Sequence, residues 1–140
     1  MATDANSAIR TLGHGVGLRN VGSYQVSGHP YLTGSTLSSG QQMKIEFPYV
    51  TKTVTVIASG SLPDTGIRVH FADRSQNLYE GKHYITLNSH EDSMAFDVKC
   101  KEIYISSPDG AAGFQLYASL TNIPSGQMYA LTGSGITGVG

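Results

Sequence analysis

Residues 42–58 read QMKIEFPYVTKTVTVIA, and this stretch decides the fold class. In Gln42–Phe47 the apolar Met43, Ile45 and Phe47 alternate with Lys44 and Glu46, the period of two that marks a half-buried strand. Pro48 ends or bends that strand, because proline has no N–H for a ladder. From Lys52 to Ala58 the chain is β-branched almost throughout (Thr53, Val54, Thr55, Val56, Ile57), as a central strand requires. The same reading extends outward in both directions. Ile67, Val69 and Phe71 point inward with Arg68 and His70 outward, and His83–Leu87 follows a turn at Glu80-Gly81. Met94–Cys100 alternates, yet Ile103 and Ile105 fall on the opposite parity. A bulge or corner at Lys101-Glu102 reconciles them. Ser107-Pro108-Asp109-Gly110 is a turn, and Phe114, Leu116, Ala118 and Leu120 supply a further inward face. Tyr24–Ser27 adds an edge strand.

These segments make about eight short strands with no convincing helix, a pattern that predicts an all-β protein. The expected architecture is an antiparallel two-sheet sandwich, of which the jelly roll is one form. Its core should comprise Met43, Ile45, Phe47, Val54, Val56, Ile67, Val69, Phe71, Ile85, Leu87, Phe96, Val98, Ile103, Ile105, Phe114 and Leu116. The organisation reads as an extended N-terminal arm (1–20), a sandwich domain (21–123) and an extended Gly-rich C-terminal arm (124–140). The arms carry isolated apolar anchors, namely Ile9, Leu12, Val16, Leu18, Met128, Leu131 and Ile136. Gly, Ser and Thr separate them, which suits straps that lay single side chains into a neighbour. Ordering such straps costs about 1–2 kcal/mol of backbone entropy per residue, so an assembly is the expected context.

Composition narrows the functional classes. Charged residues are 14% of the 140-residue chain and the net charge is −1, which gives no basic footprint for nucleic acid. Apolar runs fall far short of the ~20 residues of a membrane-spanning helix. No charged and apolar leader pattern opens the chain, so synthesis and assembly in a cytoplasm are expected. The single cysteine, Cys100, continues the Met94, Phe96, Val98 parity and reads as a buried thiol rather than a nucleophile.

No motif carries chemistry. Gly13-His14-Gly15-Val16-Gly17 lacks the helix and the Gly-Lys-Ser/Thr of a phosphate loop. His83, His90, Glu91, Asp92 and Asp73 are candidate ligands in a limited stretch, but the spacing matches no metal loop and a solvated turn is the simpler reading. No Gly-x-Ser-x-Gly elbow is present. The eight tyrosines could form a sugar platform, although the chain has no Trp. No catalytic, cofactor-binding or metal-ligating residue is therefore assigned, and a non-enzymatic protein is expected.

Leu18–Gly28 (LRNVGSYQVSG) and Pro30–Ser35 (PYLTGS) resemble the opening of small virion structural proteins of marine, cyanophage-like tailed bacteriophages. Met43–Val50 (MKIEFPYV), Ile67–Phe71 (IRVHF), Lys99–Ser106 (KCKEIYIS), Ser119–Pro124 (SLTNIP) and Leu131–Gly135 share that texture. The resemblance implies a particle component located in the virion, and it carries over no functional residue. The leading expectation is a capsid decoration or cement protein whose partners are the major capsid protein and copies of itself, a homo-oligomer with a trimer as one option. A tail, baseplate or fibre component is the alternative, and a host-glycan-binding module the alternative from another class.

Overall fold

The computed structural model describes residues 16–25, 28–60, 62–63, 66–73, 83–132 and 139. A helical turn, α1 (Gly22–Gln25), precedes eight strands: β1 (Pro30–Leu37), β2 (Gln41–Glu46), β3 (Tyr49–Ser59), β4 (Ile67–His70), β5 (Ile85–Leu87), β6 (Ser93–Phe96), β7 (Glu102–Ser107) and β8 (Ala112–Pro124). A short 3-10 turn, Ser125–Gln127, follows.

The pairing is nested. β4 pairs with β5, β3 with β6, β2 with β7 and β1 with β8, all antiparallel. The chain is thus a long two-stranded ribbon with its tip between β4 and β5. Two further ladders, β3 with β8 and β4 with β7, close the ribbon on itself. The result is two four-stranded sheets, sheet I in the order β1-β8-β3-β6 and sheet II in the order β2-β7-β4-β5. That strand order is a jelly roll, the two-sheet solution to which eight antiparallel strands with alternating faces are suited.

The core lies between the sheets. Val54, Val56 and Ala58 of β3 and Phe114, Leu116, Ala118 and Leu120 of β8 face Ile67 and Val69 of β4 and Ile103 and Ile105 of β7, all buried. Each large side chain so buried contributes about 1.5–3 kcal/mol. Met43, Phe71, Phe96 and Val98 are half-buried and pack on this cluster. The parity break after Cys100 is a corner. β6 ends at Phe96, and residues 97–101 carry the chain from sheet I to β7 in sheet II. Thr51 holds the corner. Its Oγ1 donates to the Val98 carbonyl (2.7 Å) and accepts from the Cys100 N–H (3.1 Å), while its own N–H donates to the Cys100 carbonyl (3.0 Å).

Several expectations need correction. Tyr24 and Gln25 lie in α1 rather than a strand, and Val26 and Ser27 are outside the described residues. The first strand is Pro30–Leu37. Ile85 is 41% exposed, because it opens a three-residue strand at the free edge of sheet II, where little lies above it. Met94 is likewise 39% exposed on edge strand β6. His70 points away from the core, as its parity requires, but is fully buried. One glycine is indispensable where the chain enters β4, beside the end of β5. Gly66 has φ +63°, and a Cβ there would stand 2.2 Å from the Leu87 carbonyl oxygen, so only glycine fits.

Cys100 sits in the core, and burial pushes its thiol up to about 11 from 9.0. The unfolded thiol ionises first as pH rises, so the native state holds the extra proton and stability falls between those two values. Denaturation midpoints measured from pH 8 to 11 should show a loss of roughly 2–3 kcal/mol that a Cys100→Ala variant lacks. A thiol reagent at pH 8 should label Cys100 only in denaturant.

Candidate interaction surfaces

The outward faces of the two sheets differ in kind. On sheet II the cross-strand rows are Gln42–Ser106–Arg68–Thr86, Lys44–Tyr104–His70 and Glu46–Glu102. Glu46 and Glu102 stand directly opposite, an arrangement that repels unless a cation intervenes. Lys44 supplies it, with Nζ 3.0 Å from Glu46 Oε1 and 3.0 Å from Glu102 Oε2. Hydrogen bonding to Glu102 first and Glu46 second holds the Lys44 ammonium well above the ordinary lysine range. His70 Nδ1 donates to the Ala72 carbonyl (2.8 Å), its Nε2 meets the Ser106 hydroxyl (2.9 Å), and its ring stacks on Tyr104. The Arg68 guanidinium lies over the Tyr84 ring at 4.3 Å.

The chain's own C-terminal segment overlies this face. Thr132 Oγ1 accepts from the Asp73 N–H (3.0 Å) and donates to the Tyr104 hydroxyl (3.2 Å), while Gln42 Nε2 donates to Asp73 Oδ1 (2.8 Å). All six residues of β7 are buried; on the outer side Glu102 meets Lys44, Ser106 meets His70, and Tyr104 meets His70 and Thr132. An open cleft of 790 Å³ remains between Lys44, Lys101 and Glu102 on one wall and Ser125, Ala130 and Thr132 on the other.

Sheet I presents no charge at all over its paired rows. These are Pro30–Ser119–Thr53, Leu32–Tyr117–Thr55–Ala95, Gly34–Gln115–Ile57–Ser93 and Thr36–Gly113–Ser59. Leu32 is 74% and Tyr117 42% exposed. Around Gly34 the surface dips into a depression of 430 Å³ bounded by Leu32, Ile57, Gln115 and Tyr117.

The predicted arm anchors divide into three groups. Ile9, Leu12 and Ile136 lie outside the described residues. Val16 is exposed. Leu18 and Leu131 pack, with Tyr24, on a second small cluster of Val50, Ile123 and Met128 at the end of the sandwich. The Tyr24 hydroxyl donates to the Leu18 carbonyl (2.8 Å), and burial, with Tyr129 nearby, raises its pKa. Leu18, Met128 and Leu131 therefore contact their own chain. The polar loop residues also have local partners. His90 Nδ1 accepts from the Gly60 N–H (3.0 Å), and Asp92 Oδ2 accepts from the Ser89 N–H (3.1 Å). Asp73 is engaged with Gln42 and Thr132 instead. No group of three or more His, Cys, Asp or Glu side chains converges among the described residues.

No protein-family model matches the sequence, and no curated protein matches it. Among solved structures, a de novo designed double-stranded β-helix determined by solution NMR aligns with a TM-score of 0.42 at 16% identity, over 64% of this chain and 99% of that one.

Sequence reasoning did not find the sheet I face, because Leu32 and Gly34 lie on a strand it did not read. It missed the sheet II network for another reason. Glu102 reads as an ordinary solvated charge, and nothing local announces its burial beside Lys44. The two carboxylates beside Lys44 should prove unequal. Glu102 has a side chain 7% exposed and Glu46 one 71% exposed. In urea denaturation Lys44→Ala should cost about 1–3 kcal/mol, since it strands the buried Glu102 carboxylate. Glu46→Ala should cost less than about 1 kcal/mol.

Proposed function

We propose that this protein is a non-enzymatic structural protein of a tailed-phage particle, a decoration or cement protein that binds the assembled head and bridges its subunits. The observation that carries the binding class is the outer face of sheet I, uncharged over its paired rows, with Leu32 exposed on edge strand β1 and Tyr117 beside it on β8. Exposed apolar groups clear of charge mark an interaction surface, and a broad sheet face suits another broad protein surface better than a small molecule. The resemblance of the chain to small virion proteins supplies the particle. The physical logic is linkage: a subunit that binds the assembled lattice and not its free components stabilises the assembly. The arms would add strands or anchors on neighbouring subunits.

Copy number in purified particles tests this reading. Hundreds of copies per particle are expected for decoration, a few or a dozen would place the protein in the tail, and absence from the particle would overturn the proposal. Tyr117→Lys, on a half-exposed side chain, should leave the fold intact by circular dichroism and weaken particle association roughly tenfold. Undiminished association would show that sheet I is not the binding face.

A further inference from the structure

The two sheets have four edge strands, β1 and β6 in sheet I and β2 and β5 in sheet II. Exposed edges recruit other strands unless they are short, charged or interrupted. β5 and β6 are short, at three and four residues. β2 carries Lys44 and Glu46. β1 has none of these protections: it is eight residues long, has no charge, and places its proline at the first position. Its register with β8 also runs unbroken through all eight pairs.

The direction of its free backbone groups can be assigned. The His29 carbonyl accepts from the Leu120 N–H (2.8 Å). In an antiparallel ladder alternate residues turn both backbone groups to the same neighbour. Tyr31, Thr33, Ser35 and Leu37 therefore face β8, and Leu32, Gly34 and Thr36 turn their N–H and C=O to the open side. Among the described residues no backbone hydrogen bond outside the β1–β8 ladder reaches these three.

We propose that β1 pairs antiparallel with β1 of a second copy of this chain about a two-fold axis at Thr33, joining two sheets I into one continuous sheet. Three features favour a second copy over an unrelated strand. A two-fold interface sets a surface against itself, and a charged edge would repel its own image, whereas β1 has no charge. The sheet's alternation allows only registers that pair residues of like parity, and the register centred on Thr33 sets Leu32 opposite Gly34 of the partner subunit. Leu32 is the most exposed large apolar side chain among the described residues at 74%, and Gly34 lies at the depression it would fill. Projection and depression thus occur on the same strand, two residues apart, as self-complementarity requires. This inference stands apart from the particle reading, since it concerns the isolated protein.

Light scattering and sedimentation of the full chain at about 0.1 mM should give a dimer, with a dissociation constant in the micromolar range expected of a small interface. Thr33 meets its own copy at a position without ladder hydrogen bonds, where Cα atoms approach to about 4.5 Å, close enough for a disulfide. A Thr33→Cys variant should form a covalent dimer on mild oxidation, while the buried Cys100 stays reduced. Leu32→Lys, at an exposed site, should keep the native circular dichroism spectrum and weaken dimerisation at least roughly tenfold. A wild-type monomer at that concentration overturns the proposal. So does a dissociation constant unchanged by Leu32→Lys, or a folded Thr33→Cys variant that does not cross-link.

Discussion

The structure depends on closure of the roll by two ladders, β3 with β8 and β4 with β7. Every other pairing joins strands of one folded ribbon and could exist in an open, flat hairpin. These two alone bring opposite ends of the ribbon edge to edge, and they oblige β8 and β7 to pair on both sides. A strand paired on both sides and facing a second sheet must be apolar on that face throughout its length. β8 meets this demand with Phe114, Leu116, Ala118 and Leu120, all buried, and beyond them Ile123 joins the second cluster at the end of the sandwich. Its thirteen residues allow it to serve β1 and β3 together. The register is interrupted only near Thr51, where the chain must also hold the corner that delivers β7 to the other sheet. Thr51, fully buried, satisfies three backbone groups there, and a valine of equal size would leave the hydroxyl's partners unbonded.

What the sequence disclosed follows from how each strand is buried. β2, β3, β4 and β8 have one face in the core and the other polar, so alternation names both their existence and their faces. β7 has both faces covered, one by the sandwich and one by Lys44, His70 and Thr132. Its parity is therefore legible only at Ile103 and Ile105, while Glu102, Tyr104 and Ser106 read as solvent-facing. His70 misleads in the same way, because its burial comes from Tyr104, Ser106 and the turn at Ala72, none of which a local pattern can anticipate. Ile85 errs in the opposite direction: its parity is right, but an edge strand of three residues offers it no roof. The arm anchors lay beyond what periodicity can decide, since single apolar residues among glycines and serines have no period. Leu18, Met128 and Leu131 find their partners in Val50 and Ile123, which belong to strands assigned on other grounds.

The two outer faces divide the surface between internal and external use. Sheet II spends its polar groups on itself. Lys44 bridges two carboxylates, His70 and Ser106 satisfy each other, and Tyr104 and Asp73 hold the C-terminal segment through Thr132. A partner docking there would first have to displace that segment and then compensate buried groups that already have good geometry. Sheet I asks nothing of the kind. Thr53, Thr55, Ser59, Gln115 and Ser119 are small or uncharged, and covering them strips little tightly held water from ions. The available face is thus set as much by what occupies sheet II as by what is exposed on sheet I.

The same property that hid β1 from sequence reading fits it for an intermolecular role. Its inward positions are Tyr31, Thr33, Ser35 and Leu37, of which only the two ends are apolar. Leu37 is fully buried, and Tyr31 packs edge-on against Phe47 with ring centroids 5.1 Å apart. The middle of the strand contributes little hydrophobic burial, so its place in sheet I rests on the ladder to β8. A strand held mainly by one ladder gains proportionately more from a second. Its free side already presents Leu32, Gly34 and Thr36 in the extended geometry that a second ladder needs, so pairing them requires little further ordering of the backbone. A more apolar β1 would have been bound more firmly to its own core and easier to read. It would also have been a hazard, since a long hydrophobic edge aggregates without limit, whereas Thr, Ser and Gly with one projecting leucine restrict pairing to a partner that can receive that leucine.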